Sequence, residues 1–370
     1  MSYDLDVAPE HTVGVAGPES FHRRFFRREA ARVVNGGSAP LGAVRDLAAG
    51  EDALKEPIAV LFDGRGDPVD VGGVESKSDD VRHGGWATMI LPDLNDRFEW
   101  RQGPAGPMLV CRPLEPFAPH IFTTRPWPLG SALPGAREAC WNDVAAAIDV
   151  EAGQLLRIRQ VHGVGVAVKR AGKPMVGGTA ADIIVTNDQS VALAVRTADC
   201  VPLLVADART GSVAASHAGW RGVALRVASV TVRALADEFG SRPSDLVAVV
   251  GPSIGPCCYE VGVDVRERFR AAGFSAAELA RWFAGDRDVS PKNPSLTRGS
   301  SRARPNHWFL DIWAATRDQL VGAGVPVSQV HLVDLCTAGH PALFCSYRRD
   351  GSGVGRLAAA IRTRRPRTEL

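Results

Sequence analysis

An α/β fold is predicted for the greater part of this 370-residue chain, and three observations predict it. From Ile121 onward, short apolar runs alternate with segments of helical periodicity. Two of the runs, Val191–Val195 and Pro202–Ala206, are apolar without interruption, the pattern of strands covered on both faces. The residues with chemistry to offer fall at strand ends and loops, where α/β scaffolds carry their sites.

The remaining elements follow in chain order. Ser212–Ser216 reads as a strand, with His217 opening the loop at its end. Val223–Phe239 repeats apolar residues at helical spacing and stops at Gly240. Leu246–Val250 is a strand feeding the glycine–proline turn Gly251–Pro256. Leu310–Leu320 reads as a helix closed by Gly322 or Gly324, and Gln329–Leu335 as a late strand. Ahead of that helix, Gly285–Asn306 is polar, with Pro, Ser, Gly and Arg throughout, as mobile loops are.

Residues 1–116 read differently. Pro18–Val34 is a helix candidate stopped by Gly36-Gly37, and Ile58–Phe62 a short strand ended by Asp63-Gly64. Trp86–Leu91 and Pro107–Cys111 are two further strand candidates, and His83 and His120 read as surface or core residues rather than ligands. The expected organisation is a small α+β or β-rich extension over 1–116 and a catalytic domain over 117–370.

Composition narrows the classes of function. A net charge of +2, with 45% hydrophobic and 23% charged residues, leaves no strong field for nucleic acid or a membrane surface. The basic stretch Arg362–Arg367 reads as a solvated end. No apolar run is long enough to cross a bilayer, and the opening residues lack the basic and apolar regions of a secretory leader. Seven cysteines, two of them adjacent at Cys257 and Cys258, do not make a disulfide framework, so a reducing, cytoplasmic setting is expected. No feature sets an oligomeric state.

The chemistry concentrates in His162 of Gln160-Val161-His162-Gly163, Cys200 of Thr197-Ala198-Asp199-Cys200, and His217 of Ser216-His217-Ala218-Gly219-Trp220-Arg221-Gly222. Two imidazoles and a thiolate suit a borderline-soft metal, and three protein ligands leave a tetrahedral zinc one open position. Their spacing is too wide for the local pairing of zinc fingers, so the fold must bring them together. The alternative is three buried core residues, because free cysteine is among the most buried types. Asp199 reads as a turn cap or as an orienting partner for a ligand. Cys257 and Cys258 read as packing residues, and a fourth ligand from Cys257, Cys258 or Cys336 would favour a structural metal. A multinuclear copper site would want many histidines in HxH pairs; the chain has nine His and no such pair.

Linked motifs carry a family resemblance. They are Phe122-Thr-Thr-Arg125, Gln160–Gly163, Ala181-Asp182 with Val185-Thr186, Thr197–Pro202 and Ser216–Gly222. Further on come Gly251–Gly262, Cys336-Thr337, Phe344–Arg349 and Gly355-Arg356. In this order, over about residues 117–362, they resemble the YfiH or laccase-domain family, also called the multicopper polyphenol oxidoreductase family. The resemblance implies a layered sandwich of mixed β-sheets with outer helices. It places His162, Cys200 and His217 on the family's zinc ligands. The implied activity is phosphorolysis of purine nucleosides, with adenosine deamination and methylthioadenosine phosphorolysis also found among members. Purine nucleoside and phosphate are then the partners. Arg221 is the first candidate to hold phosphate through its planar fork, with Arg348 and Arg125 next. Tyr347 is a candidate to stack on or hydrogen-bond the base, and Glu260 an acid or base. A copper-dependent polyphenol oxidase and a non-catalytic metal-binding protein are the alternatives. The chain departs from the family after Arg125, where Pro126-Trp127-Pro128 replaces a Gly-Gly-Val-Ser loop that contributes to the nucleoside pocket, and Trp141-Asn142-Asp143 stands where an Asn-Arg pair is expected.

Overall fold

The computed structural model describes residues 91–129, 136–176, 180–295 and 300–364. The helix expected at Pro18–Val34, the strand at Ile58–Phe62, all but the last residue of Trp86–Leu91, and His83 lie outside them.

In chain order the first strands are β1 (Phe98–Gly103), β2 (Gly106–Cys111), β3 (His120–Thr123), β4 (Leu155–Arg157) and β5 (Val166–Lys169). β6 (Ile183–Thr186), β7 (Ala192–Thr197), β8 (Val201–Asp207), β9 (Val213–Ala218) and β10 (Leu246–Val250) follow. The last are β11 (Glu260–Gly262), β12 (Phe283–Ala284), β13 (His307–Leu310), β14 (Val330–Leu332) and β15 (Leu357–Arg362). The helices are α1 (Ala136–Ala147), α2 (Trp220–Ala224), α3 (Val227–Phe239), α4 (Val263–Ala271), α5 (Ala276–Trp282), α6 (Ile312–Gly322) and α7 (Tyr347–Asp350).

Two six-stranded sheets dominate, in the orders β1-β2-β3-β15-β7-β4 and β14-β10-β8-β9-β6-β5; a small sheet runs β11-β13-β12. Both large sheets are mixed: β4–β7, β5–β6 and β10–β14 are parallel, and the other pairs are antiparallel. β1 and β2 lie upstream of residue 117, yet β2 pairs directly with β3, so the first sheet reaches back to Phe98.

The layers explain the uninterrupted apolar runs. Every residue of β8 is buried. Leu203 and Val205 face a core shared with the helices, whereas Leu204 and Ala206 face the first sheet. β7 divides likewise: Leu193 and Val195 meet the second sheet, and Ala192 and Ala194 pack on the outer layer that includes Trp127 and Trp141. A strand with two buried faces has no polar side to alternate, so the period-two signal vanishes. The result is a layered sandwich of mixed sheets with outer helices.

Several boundaries differ from the sequence reading. His217 is not a loop residue but the fifth of the six in β9, paired across from Pro202. The helix expected over Val223–Phe239 is two helices, broken where Arg226 takes a left-handed conformation (φ 63°). There the Arg226 guanidinium lies 3.9 Å over Phe274, a tertiary contact invisible in local propensity. Gly240 does end α3, at φ 65°. The late strand is short, β14 alone.

The segment after Arg125, where the chain leaves the family pattern, is anchored in the core. Trp127 is buried and its Nε1 donates to Pro107 O at 3.1 Å. Its ring fills the space beside Gly103, where a Cβ would approach within 2.7 Å. His120 is a satisfied core histidine: Cys111 N donates to Nε2, and Nδ1 bonds Ala118 O. Burial pushes its pKa down to about 4. No helix among the described residues is long and apolar enough to cross a membrane.

Candidate metal centre

Three neighbouring segments deliver the donors. β9 carries His217, and its antiparallel register sets Val201 opposite Ala218, which brings Cys200, one residue before β8, beside Gly219. β6, on the other side of β9, is preceded by Asp182, whose backbone oxygen accepts from His217 N at 2.8 Å. The loop Gln160–Gly163 then folds over Asp182 and brings in His162. The donor atoms of His162, Cys200 and His217 all lie within 4.8 Å of one another. His162 Nε2 is 3.8 Å from Cys200 Sγ, and the two imidazole rings meet edge to face at 4.7 Å. His162 is exposed, Cys200 partly exposed and His217 buried, so the set lies at a wall rather than in the core.

Asp182, which the sequence offers within the Ala181-Asp182 motif without a role, holds this arrangement. Its wholly buried carboxylate accepts from Val161 N (3.2 Å), His162 N (3.0 Å) and Gly163 N (2.6 Å). The same Oδ1 lies 2.8 Å from His217 Nδ1. One carboxylate thus fixes the left-handed backbone of His162 (φ 61°) and turns the other nitrogen of His217 toward the donor cluster. Gln160 clamps the loop a second time: its Nε2 donates to Arg196 O at 2.7 Å and its Oε1 accepts from Arg196 N at 2.8 Å.

The electrostatics follow from these contacts. Burial opposes charge on His217, but Asp182 and Cys200 outweigh it and push its pKa up to about 9. Burial likewise opposes a Cys200 thiolate, yet His162 and His217 outweigh it and bring the thiol down to about 7. Burial raises the Asp182 carboxyl, and the His217 ring with the loop N–H groups more than reverses that, leaving it below the usual range.

The donor set fits a metal ion. Gly219 leaves a space beside it: a Cβ there would lie 2.8 Å from His162 Cδ2 and 3.0 Å from Cys200 Sγ. Among the described residues, the only other group of this kind is Cys257, Cys258 and Cys336, and it is separate. None of those cysteines supplies the first set with a fourth ligand, so an ion held by these three residues would keep room for a ligand from outside the protein.

That cavity, of about 580 Å³, also collects Arg221, Tyr259, Tyr347 and Arg348. The Arg221 guanidinium stacks 4.5 Å over its neighbour Trp220. Arg348 lies 5.1 Å over Tyr259, and its Nη1 donates to Glu260 O at 2.7 Å. Asp199 lines the same cavity, but its carboxylate bonds to residues outside the donor set. Its carboxylate accepts from Thr337 Oγ1 and Arg348 N, both at 2.6 Å, tying the start of α7 to the loop before Cys200. Glu260 is committed to Arg304. Arg125 is not in the cavity wall: its Nη1 donates to Pro341 O at 2.8 Å and faces Asp350, bracing the segment that carries Tyr347 and Arg348.

The model of the family described as multi-copper polyphenol oxidoreductase laccase matches residues 136–364. A Deinococcus radiodurans protein named purine nucleoside phosphorylase is 37% identical over 259 residues, 66% of this chain and 88% of that one. A Bacteroides thetaiotaomicron protein of the same name is 36% identical over 49% of this chain and 60% of its own length. Adenosine deaminase RL5, from an unknown prokaryotic organism, is 34% identical over 49% of this chain and 61% of its own length. Among solved structures, YlmD from Geobacillus stearothermophilus superposes with a TM-score of 0.57 at 28% identity, covering 73% of this chain and 100% of that one.

Proposed function

The chain belongs to the multi-copper polyphenol oxidoreductase laccase family, and on that premise we propose that it is a zinc-dependent purine nucleoside phosphorylase. The observation that carries the proposal is the His–Cys–His donor set in the wall of a cavity that also holds arginines and tyrosines. The substrates are adenosine, inosine, guanosine or methylthioadenosine together with phosphate. A phosphate oxygen bonds to C1′ of the ribose as the bond from C1′ to the purine nitrogen breaks. The electron pair leaves with the base, which takes up a proton.

His162, Cys200 and His217 would hold the ion; when bound, zinc supplies positive charge that holds an oxygen ligand and lowers its pKa. The chain's own residues bind and orient. Stacked on Trp220, Arg221 offers its fork to phosphate with little rotamer freedom left to lose. Arg348, held between Tyr259 and Glu260 O, supplies a second cation on the same wall. Tyr347 is 57% exposed at the rim, where its ring can cover a purine face. Arg125 acts at a distance, by fixing the segment that bears Tyr347 and Arg348.

Adenosine deamination is the second reading, favoured by the similarity to a protein named adenosine deaminase; water then takes the place of phosphate. A polyphenol oxidase reading has less support, because two histidines and one thiolate do not make a multinuclear copper array.

The test is incubation of the purified, metal-quantified protein with each nucleoside, with and without phosphate, followed by chromatography of base and ribose-1-phosphate. Base release that needs phosphate, at about one zinc per chain, is the expected result. Inosine formed from adenosine without phosphate would replace phosphorolysis with deamination. No turnover of any nucleoside by the zinc-loaded protein overturns the proposal.

A further inference from the structure

A second donor cluster lies apart from the centre above. Cys257 and Cys258 sit in the turn after Gly251–Pro256, and Cys336 follows β14. The three sulfurs lie within 4.8 Å of one another, and all three residues are buried within the apolar core beneath the helices. They are held in place by long-range contacts. Ser253 and Cys336 form an isolated parallel bridge, Thr337 N donates to Ser253 O at 3.0 Å, and Cys336 N donates to Asn293 Oδ1 at 2.8 Å. Gly255 N donates to Cys336 Sγ at 3.3 Å, the kind of contact that favours a sulfur carrying negative charge. The Arg287 guanidinium reaches the Cys257 carbonyl at 3.5 Å, placing a cation at the edge of the cluster.

We propose that Cys257, Cys258 and Cys336 form a second metal site, separate from the His162–Cys200–His217 centre, that takes copper(I) through three thiolates. The donor count and type select the ion. Structural zinc takes four protein ligands, and iron–sulfur clusters take four thiolates; among the described residues, no fourth His, Cys, Asp or Glu joins this group. Copper(I) is soft, prefers thiolate and is satisfied by three sulfurs in a plane. The rigid backbone at Cys336 and the adjacent pair at the turn hold the sulfurs together before an ion arrives, which lowers the ordering cost of binding. Entry is provided by a cavity of about 550 Å³ that has Cys258 in its wall. Binding is not a redox step: copper enters as copper(I), three Cu–S bonds form, and the displaced thiol protons go to solvent.

The test uses the full chain carrying Cys200→Ala, which removes the thiolate of the first centre. The protein is loaded anaerobically with copper(I), challenged with a copper(I) chelator, and examined by metal analysis and X-ray absorption. The expected result is about one retained copper(I) per chain with three sulfur neighbours, falling to near zero when Cys336→Ala is added. No retained copper, a coordination shell containing nitrogen, or equal retention without Cys336 would each overturn the site. So would uptake of zinc in place of copper(I) when both ions are offered. Should the double variant fail to fold, the coordination shell of the Cys200→Ala protein alone decides the matter.

Discussion

The His162–Cys200–His217 centre and the Cys257–Cys258–Cys336 cluster each gather three donor atoms within 4.8 Å, in opposite surroundings. The first grades from an exposed histidine to a buried one, with a carboxylate behind it and an arginine-bearing cavity in front. The second is buried in the apolar core, with Cys258 alone reaching a cavity wall and Gly255 N donating to Cys336 Sγ. Donor count alone therefore says little about function. The neighbours decide whether a donor set serves chemistry at a surface or is sequestered within the packing.

The largest effect that could break this contrast is loss of the first centre. His162→Ala or Cys200→Ala is expected to release the metal and lower turnover by at least about 10²-fold, since a lost metal removes several kcal/mol of charge stabilisation. Thermal unfolding should stay cooperative, and full activity in either variant would remove the centre from the mechanism.

Thiol chemistry sharpens the contrast next. In chelator-treated protein, Cys200 is partly exposed with its thiol brought down to about 7, so it is largely thiolate above that pH. For Cys336, Cys257 acts to lower the pKa, but Cys258 and burial prevail and push it up to about 12. Alkylation mapped by peptide mass analysis should favour Cys200 over Cys336 by about 10²-fold or more, and the Cys200 rate should climb as pH rises through about 7. Equal labelling would erase the distinction between the two clusters.

Asp182→Asn is expected to weaken metal binding about 10–100-fold, read by chelator competition, with a fold that survives. An unchanged affinity would mean that the loop and His217 hold their places without the carboxylate. The smallest effect is expected of Gly219→Ala. Gly219 has an ordinary helix-entry backbone (φ −71°), so the change tests only the space beside the donors. Crowding of His162 should cost about 1 kcal/mol, or about fivefold in metal affinity.

The layered fold and the three residues of the candidate donor set were legible in the sequence for a physical reason. Uninterrupted apolar runs such as Pro202–Ala206 report burial on two faces, and histidine and cysteine report their chemistry by type alone. The role of Asp182 was not legible beyond its place in the Ala181-Asp182 motif, because an aspartate at the start of a strand looks like any turn residue until the Gln160–Gly163 loop folds over it. The three cysteines could be read as candidate ligands but not as one cluster, because Cys336 is far from Cys257 in sequence and long-range contacts such as the bridge at Ser253 bring them together. Arg125 shows the converse. Its residue type suggested phosphate, whereas its contacts made it a brace. The break at Arg226 and the strand position of His217 depended on tertiary contacts that local propensity does not carry.

Asp182 ties His162 and His217 together through the fold rather than through the ion. The geometry of the seat is therefore set when the chain folds, and an ion can leave and be replaced without the ligands scattering. A seat of that kind is filled according to supply. On the proposed reading, the general affinity order puts divalent copper above zinc at two imidazoles and a thiolate, so which ion the seat takes would follow which one is available. The metal found in a given preparation then records the medium in which the protein was made.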